Sequence, residues 1–206
     1  MIPSSRRRTV LALLAVCIAT LLGCATTTPS KFYTLTPIKG SDASTGVIPA
    51  EEGTILALGP VRLPEYLDRP QIMTRSEGNE IHLHERERWA GSLQEDVSRV
   101  LVENLSALFA GKRVAVVRWS AAMQTTAPFR NRLAIEILRF EGSVGGTAVL
   151  KARYALVGPD GKKVISAGES TVREPAGGTN YESLVAAMSR ALATFSRELA
   201  AAVPAP

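Results

Sequence analysis

Apolar positions recur along this chain in two rhythms, one typical of helices and one typical of strands. Two segments place apolar residues at spacings of three and four, which gathers them on one face of a helix. The first face comprises Trp89, Leu93, Val97, Leu101, Leu105 and Leu108, and the second comprises Tyr181, Val185, Met188, Leu192, Phe195 and Leu199. The second stripe is shorter than three heptads, which favours a helix that covers a sheet over an intermolecular coiled coil.

Polar residues before each stripe indicate where the two helices begin. Ser92 with Glu95, and Thr179 with Glu182, have the spacing of capping boxes. Trp89 suggests a slightly earlier start for the first helix, which we expect to end near Gly111.

Short apolar runs and strict alternation predict the strands. Runs at 32–35, 55–58 and 114–119 fit short strands, whereas the prolines of 59–70 exclude continuous helix or strand there. Residues 71–75 and 80–84 flank a turn-rich 76–79 and predict a hairpin. A three-stranded meander follows residue 131, with turns at 145–146 and 158–161. Its alternating apolar residues are Leu133, Ile135 and Ile137 on the first strand, and Ala148, Leu150, Ala152, Tyr154 and Leu156 on the second.

This order of elements predicts a single α+β domain. Strands come first, a helix separates them from the meander, and a second helix closes the chain. We therefore expect a largely antiparallel sheet with two amphipathic helices packed on it.

The N-terminus has the parts of a bacterial lipoprotein signal. Three arginines at 6–8 precede an uncharged, mostly apolar stretch at 10–22, which would span about 20 Å as a helix and is too short for a membrane core of about 30 Å. Leu21-Leu22-Gly23-Cys24 matches a lipobox. We expect cleavage before Cys24, which would then carry a thioether-linked diacylglycerol and an N-acyl chain. Ala25 is not the aspartate that commonly retains lipoproteins at the inner membrane, so we expect transfer to the outer membrane.

The lipobox sets the predicted organisation of the chain. Residues 1–23 are a signal peptide, 24–31 a lipidated tether, 32–203 the folded domain and 204–206 a frayed tail. Loss of the signal removes three arginines and lowers the net charge from +5 to +2, so nucleic-acid binding is not implied. Cys17 leaves with the signal and Cys24 takes the lipid, which excludes cysteine catalysis.

Candidates for enzymatic chemistry are few. His82 and His84 share one face of a strand, with Glu80 or Glu85 as a third group, but zinc usually requires three or four protein ligands. The sequence has no nucleophile motif of the Gly-x-Ser-x-Gly type and no phosphate-binding loop with a following Lys-Ser or Lys-Thr. We expect no enzyme, no metal and no cofactor other than the covalent lipid.

Three stretches carry a resemblance to a known family. They are residues 32–35, residues 59–72 with the sequence GPVRLPEYLDRPQI, and residues 88–93 with the sequence RWAGSL. Together they resemble the PqiC family, the ABC-type transport auxiliary lipoproteins. The resemblance implies an accessory subunit of an MCE-protein system that carries lipids between the two membranes and maintains envelope integrity. It further implies a periplasm-facing domain, in a homo-oligomeric ring, docked on an MCE-domain protein. The alternative is a structural envelope lipoprotein that binds no transporter.

The proline-rich segment is the predicted partner-binding surface, because prolines fix its shape and it carries apolar groups. Its residues are Leu63, Pro64, Glu65, Tyr66, Leu67, Asp68 and Arg69. In the other interpretation it covers the edge of the core, with Leu63 and Leu67 inward and the charged residues outside. Trp89 is expected in the core rather than at an interface.

Overall fold

The structure, a computed structural model, describes residues 28–38, 54–76, 78–120 and 131–203. These residues form one mixed sheet of eight strands with two helices, which confirms the α+β prediction. The elements are β1 (Lys31–Tyr33), β2 (Thr54–Arg62), β3 (Gln71–Arg75), β4 (Ile81–Trp89), α1 (Leu93–Leu108), β5 (Val114–Arg118), β6 (Asn131–Gly142), β7 (Thr147–Val157), β8 (Val164–Pro175) and α2 (Tyr181–Ala202).

Strand β6 organises the sheet. Along one edge it pairs with β7, and β7 pairs with β8, so the predicted meander is confirmed. Two strands share the other edge of β6: β2 pairs with the first half of β6, and β3 pairs with β6 at Gly142. The sheet therefore forks into a branch of β2 and β5 and a branch of β3, β4 and β1. The longest pairings are antiparallel, as predicted, whereas β2 is parallel to both β5 and β6 and β1 is parallel to β4.

Strand β2 is longer than the sequence predicts. It continues through Gly59 and Pro60 to Arg62, so the expectation that prolines exclude a strand throughout 59–70 was wrong for its first residues. The physical reason is an irregularity in the pairing with β6, whose register shifts between Leu58 and Val61. A proline, which lacks an N–H group, is tolerated at such a position because no regular ladder bond is required there.

Both helix starts differ in detail from the prediction. Helix α1 is capped by Ser92, whose hydroxyl accepts the Glu95 N–H, but Trp89 is not helical; it ends β4 as a buried residue. Helix α2 is capped by Asn180 rather than Thr179, and its Oδ1 accepts the Ser183 N–H at 2.8 Å. Asparagine ranks above threonine at this position.

The first strand ends at Tyr33, two residues earlier than expected. The N–H of Leu35 donates to Asp96 Oδ2 of α1 at 2.7 Å instead of to a strand. Further along, the N–H of Ile38 donates to Oδ1 of the fully buried Asn104 at 2.8 Å. The chain after β1 is therefore attached to α1 by side-chain hydrogen bonds.

The core lies between the sheet and the helices. Every apolar residue of the predicted α2 stripe is buried in it except Tyr181, which is half-buried against it. Helix α2 contacts β6, β7, β8 and α1, so the stripe covers the sheet, as the sequence favoured. Trp89 belongs to the same core, as expected.

Candidate functional site

The segment Leu63–Arg69 lies at the fork of the sheet. Strand β2 leaves β6 opposite Glu136, and β3 rejoins β6 opposite Gly142. The segment spans this gap, and Glu65–Leu67 form one turn of 3₁₀ helix within it. The N–H of Leu67 donates to the carbonyl of Pro64 at 2.9 Å, which closes the turn.

The side chains of this segment divide into inner and outer sets. Leu67 is only 2% exposed, and Leu63 and Tyr66 are half-buried against the core. Glu65, Asp68 and Arg69 are exposed. The segment thus covers the edge of the core, in the arrangement of the second interpretation, and what remains accessible to a partner is mainly charged.

Beneath the segment lies a charged group of residues that we call the Glu141 cluster: Glu141, Tyr66, Arg75 and Arg139. Glu141 is fully buried. The Tyr66 hydroxyl donates to Glu141 Oε2 at 2.6 Å, and Arg75 Nε donates to Oε1 at 2.8 Å. Arg139 Nε lies 2.7 Å from the same Oε1, as an ionic contact outside hydrogen-bond geometry. One carboxylate therefore joins β3, β6 and the proline-rich segment.

The electrostatics of the cluster keep Tyr66 and Arg75 each in one protonation state. Burial, reinforced by the hydrogen bond to Glu141, raises the pKa of the Tyr66 phenol. The hydrogen bond to Glu141 also raises the pKa of the Arg75 guanidinium. Tyr66 thus remains a neutral donor and Arg75 a cation at physiological pH, which suits a cluster that holds the segment in place rather than one that transfers protons.

Sequence reasoning missed the Glu141 cluster. The sequence predicts Tyr66 as part of a partner-binding surface, and its three partners are not among the predicted site residues. The register of β6 and β7 shifts between Ile137 and Arg139, so simple alternation beyond Ile137 does not show that Glu141 is buried. The available signal was a carboxylate directly after the buried Phe140 at the end of an apolar strand.

The two histidines lie side by side on β4, as predicted, and both contact neighbouring hydroxyls. His84 Nε2 is 2.9 Å from Thr74 Oγ1, and His82 Nε2 is 2.7 Å from Ser76 Oγ. Burial, together with His82, lowers the pKa of His84. Within the described residues, no group of three or more His, Cys, Asp or Glu side chains is placed to hold a metal ion.

The predicted lipidation site lies outside the described residues, as do the signal peptide and the last three residues. Cys24 and the division of the chain into 1–23, 24–31, 32–203 and 204–206 stay predictions. Of the helices in the described part of the chain, none combines the length and apolar character that crossing a membrane requires.

Comparison with known families gives a match over almost the whole folded region. The model of the family described as ABC-type transport auxiliary lipoprotein component matches residues 33–200. The chain belongs to this family. It is the PqiC-like family that the sequence resembles, so that prediction is confirmed.

Solved structures show the same fold for this auxiliary lipoprotein. The crystal structure of an uncharacterized protein has a TM-score of 0.68 at 17% identity and covers 84% of this chain and 98% of its own. A Xanthomonas campestris protein of the DUF330 family has a TM-score of 0.62 at 21% identity, with 83% and 93% covered. A search of curated proteins gave no match.

Family membership establishes the coarse role. The chain is an auxiliary lipoprotein component of ABC-type transport, and the family is not one of enzymes. An accessory component implies partners within a transport system.

Proposed function

We propose that this protein is an outer-membrane lipoprotein that faces the periplasm and serves as an accessory subunit of an MCE/ABC lipid transport system that maintains envelope integrity. The observation that carries the proposal is the family match over residues 33–200, which extends from β1 into α2. The lipobox at Cys24 supports the membrane attachment.

The anchor and the tether support a position close to the membrane. A diacylglycerol and an N-acyl chain on Cys24 would hold the protein stably, because stable anchoring takes more than one chain. Residues 25–31 reach at most about 25 Å. The sequence lacks a phosphate-binding loop of the Walker type, so ATP hydrolysis would belong to another subunit.

The outer residues of the proline-rich segment are the proposed contact with the periplasmic MCE-domain protein. Glu65, Asp68 and Arg69 are exposed, and the backbone beneath them is held by Leu67 in the core and by Tyr66 on Glu141. A charged surface on a rigid support loses little conformational entropy on binding. We further propose that the domain forms a homo-oligomeric ring on the end of its partner.

Co-purification of the full lipoprotein with the MCE-domain protein tests the proposal. Asp68→Lys and Arg69→Glu reverse exposed charges without removing a core contact, so the fold is retained and partner binding is weakened by like-charge contacts. Arg197→Glu, on the exposed face of α2, is the matched control and should leave binding unchanged.

Three results separate the parts of the proposal. Wild-type protein that fails to co-purify with the MCE-domain protein would contradict the transport role and favour a structural envelope lipoprotein. Normal co-purification of both reversed variants would leave the role intact and refute the segment as the contact. Light scattering that gives a monomer mass would refute the ring.

A further inference from the structure

Three alanines form a continuous row across the sheet face that the helices leave uncovered. Ala134 on β6 is opposite Ala155 on β7, which is opposite Ala167 on β8. On β6, Ala134 lies between Leu133 and Ile135, which are buried toward the helices, so Ala134 faces the other way. Ala155 and Ala167, which are paired in line with it, face the same side. Each alanine is at least partly exposed. The row makes a shallow channel that runs across the strands.

Larger side chains border this channel and turn it into a cavity of about 600 Å³, which we call the alanine groove. Trp119 and Arg132 form one wall, with the Arg132 guanidinium stacked 5.0 Å from the Trp119 ring centroid. Arg62, Glu136 and Arg153 form the other wall. Pro60 of β2 also lines the groove, so it crosses four strands over about 14 Å.

The charges of the groove are unbalanced toward cations. Three arginines and one glutamate line it. Arg153 is paired with Glu169 at 2.9 Å. Arg62 and Arg132, in contrast, have no carboxylate within ion-pair distance among the described residues, and both lie near Pro60 at the β2 end. The indole Nε1 of Trp119 is also buried there without an acceptor in the described part of the chain.

We propose that the alanine groove binds a single anionic lipid, with one acyl chain along the alanine row and the headgroup against Arg62 and Arg132. An acyl chain fits because the row offers methyl groups and no hydrogen-bonding side chains. A peptide laid across the same row would bury backbone polar groups without partners, which is unfavourable. The unpaired guanidinium groups at one end match a phosphate, which arginine binds with charge-assisted hydrogen bonds.

This ligand site deepens the proposed transport role, since it supplies a lipid-binding surface within the subunit itself. Its test requires no transporter. Failure of lipid binding would therefore not contradict the proposed MCE partnership. Failure of co-purification would not contradict the proposed lipid site.

Native mass spectrometry of the mature lipoprotein in a neutral maltoside detergent measures binding directly. Three probes separate chain from charge: palmitoyl lysophosphatidylglycerol carries both, monopalmitoylglycerol carries only the chain, and glycerol phosphate carries only the anion. We expect one-to-one complexes with the lysophosphatidylglycerol at concentrations at least tenfold below those needed for either of the others. Equal binding of monopalmitoylglycerol would overturn the headgroup assignment, and equal binding of glycerol phosphate would overturn the chain assignment.

Two pairs of variants locate the site. Ala155→Leu fills the groove and should weaken binding of the lysophosphatidylglycerol at least about tenfold, whereas Thr171→Leu, on the same face of the sheet but outside the groove, should not. Arg132→Gln should weaken the same probe about tenfold, and Arg197→Gln should not.

Circular dichroism and thermal melting establish that each variant is folded. If Ala155→Leu does not fold, the surface variant Arg132→Gln decides the question. Unchanged affinity in a folded Arg132→Gln, or in a folded Ala155→Leu, would refute the proposal.

Discussion

Replacement of Glu141 by glutamine removes the charge at the centre of the Glu141 cluster while preserving its shape. Glu141 is fully buried, and the two guanidinium groups beside it lie at 2.8 and 2.7 Å. Removing one partner of a buried ion pair typically costs about 3 to 5 kcal/mol. The arginine side chains retain exposures of 20% and 37%, so solvent compensates them in part. We therefore expect the lower end of this range, about 3 kcal/mol.

Urea denaturation of the full chain measures this cost as a free energy of unfolding. In thermal melting, a loss of about 3 kcal/mol corresponds to a fall in Tm of roughly 6 to 12 °C for a domain of this size. The matched control is Glu169→Gln, because Glu169 also contacts two cations, Lys151 and Arg153, but on an exposed face. Exposed ion pairs contribute little, so this control should change stability far less.

A double-mutant cycle tests whether the cluster acts on the proline-rich segment. Tyr66→Phe removes the hydrogen bond to Glu141 and should cost about 1.5 kcal/mol in the wild type and clearly less in the Glu141→Gln background. The stabilising role of the buried Glu141 charge is refuted if Glu141→Gln is no more destabilising than Glu169→Gln. The coupling between Tyr66 and Glu141 is refuted if Tyr66→Phe costs the same in both backgrounds.

Three further predictions concern other parts of the chain. Cys24→Ser should abolish incorporation of a radiolabelled fatty acid, and equal labelling of the variant would contradict the lipobox. The lowered pKa of His84 means that the unfolded chain binds the proton more tightly, so stability should fall as the pH drops below about 6.5; urea midpoints of His84→Gln should show a flatter pH profile. Gly142→Ala should destabilise by about 1 to 3 kcal/mol, because the new Cβ would lie 2.5 Å from the Thr147 carbonyl oxygen; Gly91→Ala, with open space around it, should melt near the wild-type temperature.

The helices and the meander were predictable because their physics is local. The stripe of α2 and the alternation of β7 each lie within one continuous segment, so periodicity alone identifies the buried face. The helix caps were predictable to within a residue, since Thr179 and Asn180 are both good capping residues and only the backbone conformation decides between them.

The candidate sites depend on contacts between distant parts of the chain. The partners of Glu141 come from β3, from β6 and from the proline-rich segment. The alanine groove exists because the register places Ala134, Ala155 and Ala167 side by side. The periodicity of apolar residues encodes neither the register of these strands nor the fork of the sheet. The spacing of residues in the sequence therefore could not reveal either site.

The shared edge of β6 separates local contacts from long-range contacts in this fold. From Asn131 to Ala202, each strand and helix follows closely on the one that it packs against. By contrast, β2 must find β6 across the whole of β3, β4, α1 and β5, as the pairing of Leu58 with Leu133 shows. Closing long loops carries an entropic cost that short hairpins avoid. We therefore expect the C-terminal part to form first, and the forked N-terminal branches to add to it once β6 is in place.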